Sequence, residues 1–206
     1  MSKIIRLPGL IDPHVHFRTP GQEHKEDFNT GSRAALAGGV TTVLDMPNNT
    51  ELVTDLRLLR RKQELATADT VCDIGFYLGT MGAPDQDLLA CEPYVKGLKI
   101  YMNVTTGHFV VTDQQKLDSI FERWESEKPI LVHVEGDRLP IALDLAQKYD
   151  RRLYVCHVSR DTQLNLIRQA KHARPGRVFA EVTPHHLMID SAWSADPYKQ
   201  MKPPLS

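Results

Sequence analysis

Short runs of apolar and β-branched residues alternate along this chain with longer stretches in which apolar residues recur three or four positions apart. The short runs, at residues 10–17, 40–44, 72–78, 97–102, 130–134, 153–158 and 178–182, predict strands. The longer stretches, at 28–37, 56–66, 114–125, 140–148 and 162–173, carry the helix period. A strand followed by a helix, repeated, builds a parallel α/β sheet, because parallel neighbours can be joined only by a crossover. Several strands are hydrophobic almost throughout, which suits burial on both faces. The expected fold is a TIM-type (β/α)8 barrel with about seven of its eight strands present. Such barrels take about 250 residues, and this chain has 206. No Gly/Ser linker, low-complexity tract or internal repeat marks a boundary, so residues 1–206 are expected to form one partial barrel domain.

Charge narrows the partners. The 25 Lys and Arg residues nearly balance 26 Asp and Glu and are evenly mixed with them. That leaves no basic stripe for nucleic acid or anionic lipid, and it points to a small-molecule or protein partner. No apolar run reaches the roughly 20 residues of a membrane span, and the first ten residues are too polar for a signal peptide. Cys72, Cys91 and Cys156 are far apart and form no C-x-x-C pair, which fits a reducing, cytoplasmic setting.

His14-Val15-His16 places two imidazoles on one face of a strand, where they either grip one ion or stand as two half-exposed histidines. His133 and His157 lie near the ends of two further apolar strands, where barrel enzymes carry their catalytic groups. Four histidines at the ends of three strands favour metal binding. Lys99 interrupts an otherwise apolar strand. A buried ammonium needs either a carboxylate partner or another fate, such as uptake of carbon dioxide by the neutral amine to give a carbamate that bridges two ions. Two divalent ions so held would acidify a water and polarise a carbonyl, which implies hydrolysis of an amide-like bond. Imidazole and oxygen donors suit zinc, although manganese, iron or cobalt fit the same geometry. Arg18 is suited either to a bidentate grip on a substrate carboxylate or to a surface salt bridge, and Asn48 either to the same ligand or to an Asx-turn.

The string Pro8-Gly9-Leu10-Ile11-Asp12-Pro13-His14-Val15-His16-Phe17-Arg18-Thr19-Pro20-Gly21 resembles the opening of dihydroorotases, cyclic amidases of the amidohydrolase superfamily. Met46-Pro47-Asn48, Gly97-Leu98-Lys99-Ile100-Tyr101, His133-Val134-Glu135, Cys156-His157-Val158 and Pro184-His185-His186-Leu187 follow in the family's order, so the resemblance covers nearly the whole chain. It implies interconversion of dihydroorotate and N-carbamoyl-L-aspartate in pyrimidine synthesis. It also implies one zinc on His14 and His16, another on His133 and His157, and a carboxylated Lys99 between them. Arg18 and Asn48 would hold the substrate carboxylate, with Thr105 in a covering loop and Lys202 a second basic contact. A third zinc, as in animal-type members, would fall to His133, Cys156 and Glu181. Thr106 stands where the family often has an aromatic residue.

The family's final strand carries a catalytic Asp in an Asp-His-Ala-Pro-His context, which this chain lacks; Asp190 and Asp196 do not match it. By the resemblance that Asp would fall beyond Ser206, the last residue, so no catalytic acid is assigned within residues 1–206. A chain cut short before that strand is expected to be inactive alone. Allantoinases, dihydropyrimidinases and hydantoinases share the ligands, but their substrates lack the ring carboxylate that Arg18 and Asn48 would bind. The further alternative is a non-catalytic subunit that binds aspartate transcarbamoylase. A homodimer is the other protein partner that the resemblance implies.

Overall fold

The computed structural model describes residues 4–105, 108–189 and 201–205, and within them each predicted strand run contains strand. The strands are β1 (Leu10–Val15), β2 (Val40–Asp45), β3 (Asp73–Phe76), β4 (Leu78–Gly79), β5 (Leu98–Tyr101), β6 (Ile130–His133), β7 (Leu153–Val155) and β8 (Val178–Ala180). All paired neighbours are parallel, in the orders β1-β2-β3 and β4-β5-β6-β7-β8. The single run expected at 72–78 is divided at Tyr77. The Tyr77 amide donates to Asp45 O, whereas the Leu78 amide donates to Gly97 O, so the chain leaves β2 for β5 at that point. Taken as one position, β3 and β4 make an arc of consecutive barrel strands, and the barrel-type α/β expectation holds.

The five expected helices form as α1 (Phe28–Ala37), α2 (Leu56–Asp69), α4 (Gln114–Arg123), α5 (Arg138–Lys148) and α6 (Asp161–Ala173). Short α3 (Leu88–Cys91) and α7 (Pro184–Met188) are additional. Side-chain caps explain several starts. The carboxylates of Asp27, Asp55 and Asp113 accept the amides of Thr30, Leu58 and Lys116, and the same device at Asp87 and Thr183 opens α3 and α7. Four or five residues are too few to show a helix period, which is why those two helices escaped the hydrophobic pattern.

Alternation along the strands sorts the interior into two layers. Leu98, Ile100, Ile130, Val132, Leu153 and Val155 pack against Leu117, Ile120, Phe121, Ala142, Ala146 and Ile167 of the helices. The alternate positions build a smaller cluster of Met46, Tyr77, Leu131 and Cys156 inside the barrel. β5 and β6 are buried at every residue, as their hydrophobicity predicted.

Candidate metal centre

Above the inner cluster, the C-terminal ends of the strands surround a cavity of about 660 Å³. His14 belongs to β1, with His16 and Arg18 just beyond its end; His133 closes β6; His157 and Glu181 follow β7 and β8. All of these line the cavity, as do Lys99, Thr105 and Lys202. The imidazoles converge. His14 Nε2 is 3.3 Å from His16 Nε2, and His133 Nδ1 is 2.9 Å from His157 Nε2. The His14 and His157 ring centroids are 5.4 Å apart, which joins the two pairs into one group.

Burial pushes His16, His133 and His157 below the ordinary histidine range, with His133 falling to about 3, and the neighbouring Lys99 charge adds to the effect. They are therefore neutral near pH 7, the form that offers a lone pair to a metal. His14 goes the other way. Burial works against its imidazolium, yet hydrogen bonds to Cys156 and Glu181 outweigh it and push the pKa up to about 9.

Two further observations fit a cation. His133 Nε2 and His157 Nδ1 are buried with no hydrogen-bond partner, the nearest carboxylate to the former being Glu135 Oε1 at 3.5 Å. Lys99 is fully buried, and its Nζ contacts Cys156 Sγ at 2.9 Å. Among the described residues it has no carboxylate partner, so the salt bridge weighed for it does not form. Buried ring nitrogens without partners and a buried ammonium without a counter-ion are costly unless a ligand or modification completes them.

Three side chains of the same region also gather: His14, Cys156 and Glu181 have ligand atoms that all lie within 4.8 Å of one another. The expected third set had His133 in place of His14. The substitution follows from ring orientation, since His14 Nδ1 contacts Glu181 Oε1 while His133 Nδ1 is turned to His157. Glu181 is held from behind by the Tyr154 hydroxyl at 2.9 Å and the His157 amide at 3.1 Å.

Among the substrate candidates, Arg18 adopts φ +63°, a left-handed conformation uncommon outside glycine, and His157 shares that region at +36°. Asn48 does not line the cavity. It is 4 % exposed, with both amide atoms lacking a partner. Thr106, Asp190, Asp196 and Ser206, the residue beyond which the family's catalytic Asp was expected, lie outside the described residues.

Several cavity and supporting residues were not identified from sequence. Asp12 shares the alternation of His14 and His16, a signal that was present; its Oδ1 accepts the His14 amide at 3.0 Å. Tyr101, Thr183 and His185 also line the cavity. Lys62, on α2, reads as one more surface cation in a run rich in Arg and Lys, but it is 1 % exposed. Burial lowers its pKa and the carboxylate of Asp45, 2.8 Å away, works to raise it.

Histidines and a buried lysine gather at the C-terminal ends of parallel barrel strands, an arrangement suited to holding divalent cations. The chain belongs to the amidohydrolase family, which it matches over residues 5–192. It is 42% identical over 188 residues to the multifunctional protein CAD of Squalus acanthias, covering 91% of this chain and 8% of that protein. It is 30% identical over 223 residues to the dihydroorotase of Methanosphaera stadtmanae, covering 91% of this chain and 49% of the other. Among solved structures, the L-hydantoinase of Arthrobacter aurescens superposes with a TM-score of 0.85 at 25% identity, over 96% of this chain and 52% of that one. The chain thus spans about half the length of the dihydroorotase and hydantoinase it matches. Among the described residues no helix is long and apolar enough to cross a membrane.

Proposed function

We propose that this chain is part of a dihydroorotase, a single barrel domain that binds two zinc ions and interconverts dihydroorotate and N-carbamoyl-L-aspartate in pyrimidine synthesis. The observation that carries this reading is Arg18, which lines the same cavity as the clustered histidines and so sets a carboxylate-binding cation beside a hydrolytic centre. His14 and His16 would hold one ion, His133 and His157 the other, and Lys99, as a carbamate, would bridge them. Cys156 and Glu181 would hold a third, with His14 completing the set in preference to His133.

When bound, the ions supply an acidified water and a polarised amide carbonyl. The chain's own residues do the rest. Arg18 fixes the ring by its carboxylate, and Lys202 and Thr105 contact the substrate from the same cavity wall; Asn48, buried off that wall, would reach the carboxylate only after its side chain moves into the cavity. On this reading the enzyme is cytosolic and pairs with itself or with aspartate transcarbamoylase; similarity to a protein described as multifunctional supports a protein partner.

The structural likeness to a hydantoinase supports a rival substrate, an uncharged cyclic amide. Metal analysis with calorimetric titration separates the two. The expected result is about two zinc ions per chain, rising to about three when the His14, Cys156 and Glu181 set is also filled, lost on removal of the histidine ligands, with binding of dihydroorotate in preference to hydantoin. Preference for hydantoin would overturn the dihydroorotase reading.

A further inference from the structure

Lys62 lies outside the cavity, and its surroundings show what it does. The side chain enters from α2, and its ammonium reaches three acceptors: Met46 O at 2.7 Å, Asn49 Oδ1 at 2.8 Å and Asp45 Oδ2 at 2.8 Å. Hydrogen bonds go to Met46 O and Asn49 Oδ1, and Asp45 balances the charge as a close ion pair. Each one leads to the proposed carboxylate clamp. Asp45 ends β2, and its other oxygen accepts the amide of Phe17 at 3.0 Å, one residue before Arg18. Met46 and Asn49 bracket Asn48 in a turn that is further tied by Met46 N to Val15 O and by Asn49 N to Pro47 O, both at 3.0 Å.

Arg18 needs such support. Its left-handed backbone is sparsely populated and persists only where the surroundings dictate it. The Asp45 carboxylate fixes the amide of Phe17, the residue before Arg18, and Lys62 in turn fixes that carboxylate. Burying this lysine and aspartate costs desolvation that apolar residues of similar volume would not incur, so stability is a weak reason for the pair to be there. A requirement for one geometry in the loops after β1 and β2 is a sufficient reason.

We infer that Lys62 is a positioning residue for substrate selection: through Asp45, Met46 and Asn49 it holds the loops after β1 and β2 so that Arg18 is placed in the cavity to grip the carboxylate of the cyclic amide. This rests on the dihydroorotase reading above. It makes Lys62 matter for ligands that carry the carboxylate and not for the ring or the metals.

The test compares zinc-loaded protein with its Lys62→Met variant in calorimetric binding of dihydroorotate and of dihydrouracil, the same ring without the carboxylate, together with zinc content and thermal unfolding. The expected result is a dihydroorotate Kd weakened about 10- to 100-fold, as misplaced binding groups typically produce, with dihydrouracil affinity and zinc content unchanged. A purely structural lysine would weaken both ligands alike, and that outcome overturns the inference, as does an unchanged dihydroorotate Kd. If the parent protein itself shows no preference for dihydroorotate over dihydrouracil, the dihydroorotase reading fails first and the inference with it. Should Lys62→Met not fold, the double variant Lys62→Met/Asp45→Asn leaves no charge unpaired, keeps the acceptor for Phe17 N, and is expected to show the same split. Failure of both variants to fold would make Lys62 structural and overturn the inference.

Discussion

At the residue scale, the cluster's ionisation gives a pH signature to the metal-free protein. The folded pKa of His133 is depressed to about 3, so its contribution is whole above the unfolded value of 6.5 and is lost as pH falls towards 3. His14, raised to about 9, contributes fully below 6.5, and that contribution is lost as pH rises through 9. Thermal unfolding in chelator should therefore show greatest stability near pH 6.5. His133→Gln should flatten the acid limb and His14→Gln the alkaline one. Arg18→Ala tests the other end of the cavity. Removing a charged bidentate partner should weaken dihydroorotate binding by about 1.5–3 kcal/mol, read by calorimetry on zinc-loaded protein, and leave metal content as in the parent. The gathering of the histidines, Lys99 and Arg18 at one cavity was legible because charged residues and imidazoles near the ends of apolar strands stand out. Lys62 was not, because nothing in its neighbourhood along the chain distinguishes a buried lysine from a solvated one.

At the element scale, each strand end is aimed by the helix and turn that follow it, so local signals have consequences for the site. Asp55 caps α2 by accepting the Leu58 amide at 2.7 Å. Asp55→Ala should lower stability by about 0.5–2 kcal/mol in denaturant unfolding, with little change in zinc content, since α2 remains packed through Leu58, Leu59 and Ala66. Gly97 precedes β5, and a Cβ there would come within 2.5 Å of the backbone oxygen of Pro129. Backbone cannot step aside as a side chain does. Gly97→Ala should thus push β5 from β6, cost about 1–3 kcal/mol, and, unlike the cap variant, reduce zinc content by displacing Lys99. The strands and five longer helices were readable from periodicity. The break at Tyr77 was not, because it arises from a change of hydrogen-bonding neighbour between Asp45 and Gly97, residues remote from it in sequence.

For the whole molecule, the arc has two outer strands. Among the described residues β1 pairs only with β2 and β8 only with β7, and apolar side chains beside these edges are exposed, with Ile11 at 65% and Phe179 at 40%. Unpaired edges of this kind template association with another chain. Sedimentation should show concentration-dependent self-association of this chain, and Ile11→Lys with Phe179→Lys should reduce it without loss of secondary structure. By itself the sequence determined the parallel α/β order, the core-facing positions and the imidazole, lysine and arginine side chains that line the cavity, because periodicity and unusual residues on apolar strands are local properties. Only the tertiary structure decided which side chains meet. It paired Cys156 and Glu181 with His14 in place of His133, set Asn48 off the cavity wall and drew Lys62 under the clamp. Those outcomes depend on strand register, ring orientation and the direction in which α2 returns to the barrel, and distance along the chain encodes none of the three.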